Sequence, residues 1–162
     1  MADNVDDKVT IVVCSGEYDK ALAAFLFATI AASMGKEVIM FFTFWGLNVV
    51  KKPKGFPRTG PIFKRIFNLI NRDNVNHLPL SRFNFMGLGR LIINLRMRKS
   101  KVANLQQLIE MARELGVKLL ACTMAMDLMG LTPEDMIDGV DEYAGASTYF
   151  DVAFDSRVNL FI

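Results

Sequence analysis

Residues 9–13 (VTIVV) and 38–44 (VIMFFTF) are apolar runs on either side of one helix-length segment, and no other feature limits the fold as tightly. Short, unbroken and rich in branched or aromatic residues, each run reads as a strand buried on both faces. Ser15-Gly16 supply a turn after the first, and Asp19 is placed to cap a helix over 20–34. Gly35 stands where a left-handed residue ends a helix. Strand, helix and strand in this order make a βαβ unit, whose crossover is right-handed almost without exception.

The same rhythm resumes near residue 104. Asn104 with Gln107 forms a variant capping box, and Leu105, Leu108, Ile109, Ala112 and Leu115 line one helical face. Gly116 stops that helix and 117–121 is a third apolar strand. Thr132-Pro133-Glu134-Asp135 reads as a helix start, with proline in the first turn and acids at its positive end. A short strand over 140–143, a helix over 145–155 and a last strand over 158–162 complete the pattern. The expected fold is α/β: a three-layer α/β/α sandwich with a mostly parallel sheet of about five strands. It forms one domain over 1–162, with a basic helical insertion at about 51–101.

The chain is 52% hydrophobic, which a helix-covered parallel sheet or an apolar assembly surface explains. Its longest charge-free run, 21–35, has 15 residues, short of the roughly 20 that cross a bilayer. The start, MADNVDD, is acidic and polar, unlike a secretory signal, so the expected location is the cytoplasm. In that compartment the two cysteines are thiols at rest. One histidine and no Cys-x-x-Cys pair leave no zinc site, and no metal or organic cofactor is expected.

The net charge of +2 conceals an asymmetry. Residues 50–101 hold 13 Lys or Arg and one acid, Asp73, a net +12; the rest holds 6 basic and 16 acidic residues, a net −10. Such a block suits an anionic partner, or else a solvated polar face. Three prolines and two glycines make 51–61 a loop, while 62–70 and 83–99 have helical spacing. Phe83, Phe85, Met86, Leu88, Leu91, Ile92 and Leu95 beside four basic residues fit an interfacial helix on a membrane surface. They fit a subunit interface slightly better. RNA binding through Phe56, Phe63 and Phe67 lacks any recognised motif, so no nucleic acid is expected.

Ligands of open parallel sheets bind beyond the carboxyl ends of the strands. Three strand ends carry candidates: Cys14-Ser15-Gly16, Thr43-Phe44-Trp45-Gly46 and Cys122-Thr123-Met124. If the first and third strands are neighbours, Cys14 and Cys122 approach disulfide distance. Cys122 has the better case for reactivity, because 123–129 can form a short helix whose free N–H groups face its sulfur. Met124, Met126 and Met129 then offer soft walls for a sulfur-bearing substrate. The competing reading is a thiol buried as a small hydrophobe, and it is the preferred one for Cys14. His77 reads as a surface residue and Asp127 as an exposed or capping acid, so no Ser–His–Asp set assembles. Ser15-Gly16-Glu17 lacks the glycine spacing of a dinucleotide turn.

The segments 15–25 (SGEYDKALAAF), 41–50 (FFTFWGLNVV) and 121–145 (ACTMAMDLMGLTPEDMIDGVDEYAG) carry a resemblance over nearly the whole chain. The sequence resembles the DsrE/DsrF/DsrH-like sulfurtransferase family, in the branch often labelled peroxiredoxin-like. The resemblance implies a DsrE-like fold, homo-oligomerisation and sulfur carried as a cysteine persulfide or thiosulfonate. It implies a small TusA-type sulfur carrier as partner, and it places the sulfur-bearing cysteine at Cys122. The strand-end residues Cys14, Ser15, Gly16, Thr43, Trp45, Thr123 and Met124 are the expected substrate-binding residues, and Cys14 takes no role from the resemblance. No cysteine follows Cys122, unlike some relatives, so a one-cysteine carrier fits better than a dithiol relay. The peroxiredoxin label fits poorly, because 117–121 lacks the Pro and Thr/Ser pattern that precedes a peroxidatic cysteine. The alternative is a non-catalytic oligomeric scaffold or a membrane-surface interaction module.

Overall fold

The computed structural model of the chain describes residues 7–53, 71, 73–82 and 88–162. Among the described residues five strands form one sheet: β1 (Lys8–Val13), β2 (Glu37–Phe42), β3 (Lys118–Cys122), β4 (Glu142–Ala144) and β5 (Val158–Phe161). Their order is β4-β3-β2-β1-β5, and every pairing is parallel. The expected sandwich is therefore present, with a wholly parallel sheet among the described residues.

The helices are α1 (Tyr18–Ser33), α2 (Leu88–Lys99), α3 (Leu105–Glu114), α4 (Thr123–Met129) and α5 (Ala146–Phe154). Helices α1 and α3 link strands added in one direction, so right-handed crossovers put both on one face, where they touch. The return from β4 to β5 runs the other way and sends α5 to the opposite face. There the Tyr149 ring stacks on Phe41 at 5.1 Å between centroids. The Tyr149 hydroxyl lies 3.3 Å from the buried Thr10 hydroxyl, which also donates to Asn159. No described helix is long and apolar enough to cross a membrane.

Local chemistry accounts for the element ends. Gly35 and Gly116 adopt positive φ, as expected, and end α1 and α3. The Asn104–Gln107 capping box forms in full. Helix α1 starts at Tyr18 because Asp19 is not its cap; the Asp19 carboxylate accepts from the Ser81 N–H and hydroxyl at 2.9 and 2.6 Å. The start at 132–135 yields one 3₁₀ turn, Pro133–Asp135. Its Thr132–Asp135 capping box forms, but Met136 is extended, buried and bridged antiparallel to Lys51. The third and fourth strands begin slightly later than expected, and the third includes Cys122. Of the insertion, α2 is present, while 54–70, Arg72 and 83–87 lie outside the described residues.

Candidate functional site at the carboxyl edge of the sheet

Parallel register aligns Val13, Phe42 and Ala121 across three strands. Cys14, Thr43 and Cys122 follow them, so all three expected groups lie on one edge. The first two groups meet directly. After β2 the chain forms a 3₁₀ turn, Phe44–Val49, that folds back over the end of β1. The Thr43 N–H donates to Val13 O at 3.0 Å and the Gly46 N–H to Cys14 O at 2.9 Å. A side chain at Gly46 would put Cβ 1.9 Å from Val13 O, and one at Gly16 would put it 2.7 Å from Trp45 O. Glycine at both positions is what lets the two strand ends touch.

The third group adjoins the second, since β3 neighbours β2 and α4 lies beside the 3₁₀ turn. Cys122 occupies the N-cap position of α4, as expected, and Gly130 ends that helix in a left-handed conformation. Its 3.6-residue period divides the methionines: Met126 and Met129 turn into the core, while Met124 and Leu128 face outward. The expected methionine walls are therefore mostly core. The exposed side chains at this edge include Thr123, Met124, Asp127, Leu128, Phe44 and Trp45. Phe44 stands at φ 45°, a strained left-handed conformation for an aromatic residue.

The two thiols differ. Cys122 is 2% exposed and Cys14 is half-buried, and both are free. Because β2 separates β1 from β3, the two Cα atoms stand two strand spacings apart, roughly 9.6 Å. That exceeds the reach of a disulfide, so the approach considered for adjacent strands does not occur. Lys20 lies within electrostatic reach of Cys14 and is held by Glu17 at 2.5 Å. Ser15 donates to the same Glu17 carboxylate at 2.7 Å. These two bonds hold the Glu17 carboxyl below the usual carboxylate range.

Lys51, read from the sequence as the start of a loop in the basic block, is 8% exposed. Its ammonium donates to Asn71 O at 2.9 Å, and burial lowers its pKa to about 8 against the pull of Asp73 and Asp135. Asn48 and Asn71 exchange two amide hydrogen bonds, at 2.9 and 3.1 Å. The missed signal is Asn48-Val49-Val50-Lys51, where two apolar residues draw the flanking polar ones inward. No group of three or more His, Cys, Asp or Glu that could hold a metal occurs among the described residues.

Comparison with known proteins follows this geometry. A model of the DsrE/DsrF/DrsH-like family matches residues 5–161. The uncharacterized protein YrkE of Bacillus subtilis (strain 168) is 44% identical over 155 residues, covering 96% of each chain. The sulfur carrier protein DsrE2 of Allochromatium vinosum is 34% identical over 158 residues, covering 96% of this chain and 98% of its own. The crystal structure of ychN protein from E. coli superposes with a TM-score of 0.57 at 12% identity, over 96% of this chain and 99% of that one. That last likeness concerns the fold alone.

Proposed function

We propose that this chain, which belongs to the DsrE/DsrF/DrsH-like family, is a sulfur-transfer protein that carries sulfane sulfur or a thiosulfonate on Cys122. The observation that carries the reading is Cys122 at the N-cap of α4, at the carboxyl edge of a parallel sheet, the edge where open sheets of this kind take their ligands. The name of the Allochromatium vinosum relative, a sulfur carrier protein, supports it. In the transfer step the Cys122 thiolate attacks the outer sulfur of a donor persulfide. A sulfur–sulfur bond forms at Cys122 as the donor's breaks, and the donor leaves as its thiolate. The reverse displacement hands the sulfur to an acceptor thiol, and neither direction needs an outside oxidant. A thiosulfonate group moves by the same displacement from a donor that carries one.

The exchange partner is a small TusA-like carrier protein, and the basic segment around α2 steers its acidic surface. The exposed rim of Phe44, Trp45, Met124 and Leu128 supplies apolar contact beside the thiol. Burial of Cys122 gives docking a second task, to uncover the sulfur. The protein works in the cytoplasm as a homo-oligomer. Support for assembly comes from the β5 edge, where Phe150, Phe154, Val158 and Phe161 are exposed.

Intact-mass spectrometry after incubation with a persulfide-loaded TusA-like carrier protein tests the reading. Wild type and Cys14→Ser gain one sulfur atom, and Cys122→Ser does not. An equal gain in Cys122→Ser overturns it. Loss confined to Cys14→Ser moves the role to the half-buried thiol beside Lys20.

A further inference from the structure

A cleft of about 790 Å³ lies between α2, the start of α1 and the start of α3, and the residues that line it do not include Cys122 or its rim. Its charged lining is entirely cationic: Arg90, Arg98 and Lys101, with no carboxylate among the described lining residues. None of the three makes an ion pair with a described residue. Arg90 is partly desolvated, and burial lowers its pKa. Its guanidinium rests on the Tyr18 ring, 4.8 Å from the centroid, and reaches Leu78 O only at 3.5 Å. Most of its five N–H donors therefore lack an acceptor among the described residues. Asn94 accepts from the Tyr18 hydroxyl at 2.6 Å and keeps its NH₂ as a further donor.

Lys101 adds an independent observation. It closes α2 at φ 55°, a conformation that favours glycine, yet the position carries a long cation on the cleft wall. The remaining wall is partly apolar, with Met97, Val102, Leu105 and Met111. A partly desolvated cation is stable only with an anion or dense hydrogen bonding around it, and the described residues supply neither in full.

We propose that this cleft binds a small organic anion with two or more phosphate or carboxylate groups and an apolar body. The concavity suits a molecule of nucleotide size better than a flat protein surface. Arg90 and Arg98 offer the paired donors that fit such groups, Lys101 adds a point charge, and the methionine-bearing wall covers the body. The site is separate from the sulfur chemistry and does not rest on it.

Isothermal titration of the full chain with ATP, inorganic pyrophosphate and citrate is the test, with sulfate as a control for simple ions. One saturable site per chain is expected for ATP or citrate, with pyrophosphate weaker and sulfate far weaker. ATP above pyrophosphate marks a phosphate ligand with a body; citrate above both marks a carboxylate. The double variant Arg98→Gln/Lys101→Gly removes two wall charges while relieving the backbone at 101. It is expected to melt no lower than wild type and to bind at least about tenfold more weakly. The double variant Arg96→Gln/Lys99→Gln removes two charges from the same helix outside the cleft and is expected to keep wild-type affinity. The proposal is overturned if no probe binds saturably, if sulfate binds as tightly as the others, or if both double variants lose affinity equally.

Discussion

Cys14 and Cys122 stand on one edge of the sheet with β2 between them, each one residue past the row that aligns Val13, Phe42 and Ala121. They share an edge but not a bond, and they differ in cover. Under a mild oxidant the chain is expected to form no internal disulfide, measured as retention of the two-thiol mass. A bulky aromatic disulfide reagent is expected to label Cys14 faster than Cys122, with Cys14→Ser and Cys122→Ser used to assign the two phases. Equal rates would mean that Cys122 is uncovered in solution.

Gly46 sets how closely the ends of β1 and β2 approach. In Gly46→Ala the new Cβ meets Val13 O at 1.9 Å, and backbone cannot yield as a flexible side chain can. The expected cost is about 1–3 kcal/mol, read as a lower melting temperature. Because the Gly46 N–H also holds Cys14 O, labelling of Cys14 should accelerate in the same variant. A variant with wild-type melting and labelling would show that the turn does not lie where it is described.

Buried Lys51 gives the fold an alkaline dependence whose sign is fixed. Its folded pKa, about 8, lies below the ordinary 10.5, so from pH 8 to about 10 the unfolded chain holds the proton that the folded chain releases. This group therefore adds stability as pH rises through that window, and below pH 8 the cost of burying the charge stands in full. With allowance for solvent screening the gain is about 1–2 kcal/mol. Lys51→Met is expected to lose that rise, measured by urea unfolding at pH 7.5 and 9.5. The same slope in both proteins would assign it elsewhere.

The proposed self-association through the β5 edge makes a further prediction. Phe154 is 83% exposed on α5 and Phe161 is 75% exposed on β5. Phe154→Ser/Phe161→Ser is expected to lower the mass seen by light scattering, with secondary structure unchanged by circular dichroism. A wild-type protein that is already monomeric at micromolar concentration would remove this part of the reading.

Periodicity and turn chemistry were enough to read the sheet, because β1, β2 and β3 are covered on both faces and read as unbroken apolar runs. The capping box at Asn104 and the glycines at 35 and 116 act within a few residues, so local sequence encodes them fully. Strand order is different. Nothing in residues 9–13 or 117–121 says that β2 lies between them, and so the Cys14–Cys122 separation needed the structure. The same limit hid Lys51, whose burial depends on Asn71 and Met136, and Asp19, whose partner Ser81 is 62 residues away. Placing Cys122 at a helix start was within reach because the strand and the helix that frame it are consecutive in the chain.

The amide exchange between Asn48 and Asn71, with Lys51 bound to Asn71 O, ties together two points of the chain 20 or so residues apart. Asn71 therefore acts as a clamp: its amide holds the 3₁₀ turn at Asn48, and its carbonyl holds Lys51 just past that turn. A single residue distant in sequence thus keeps the turn and the buried ammonium in place together, and losing it loosens both at once.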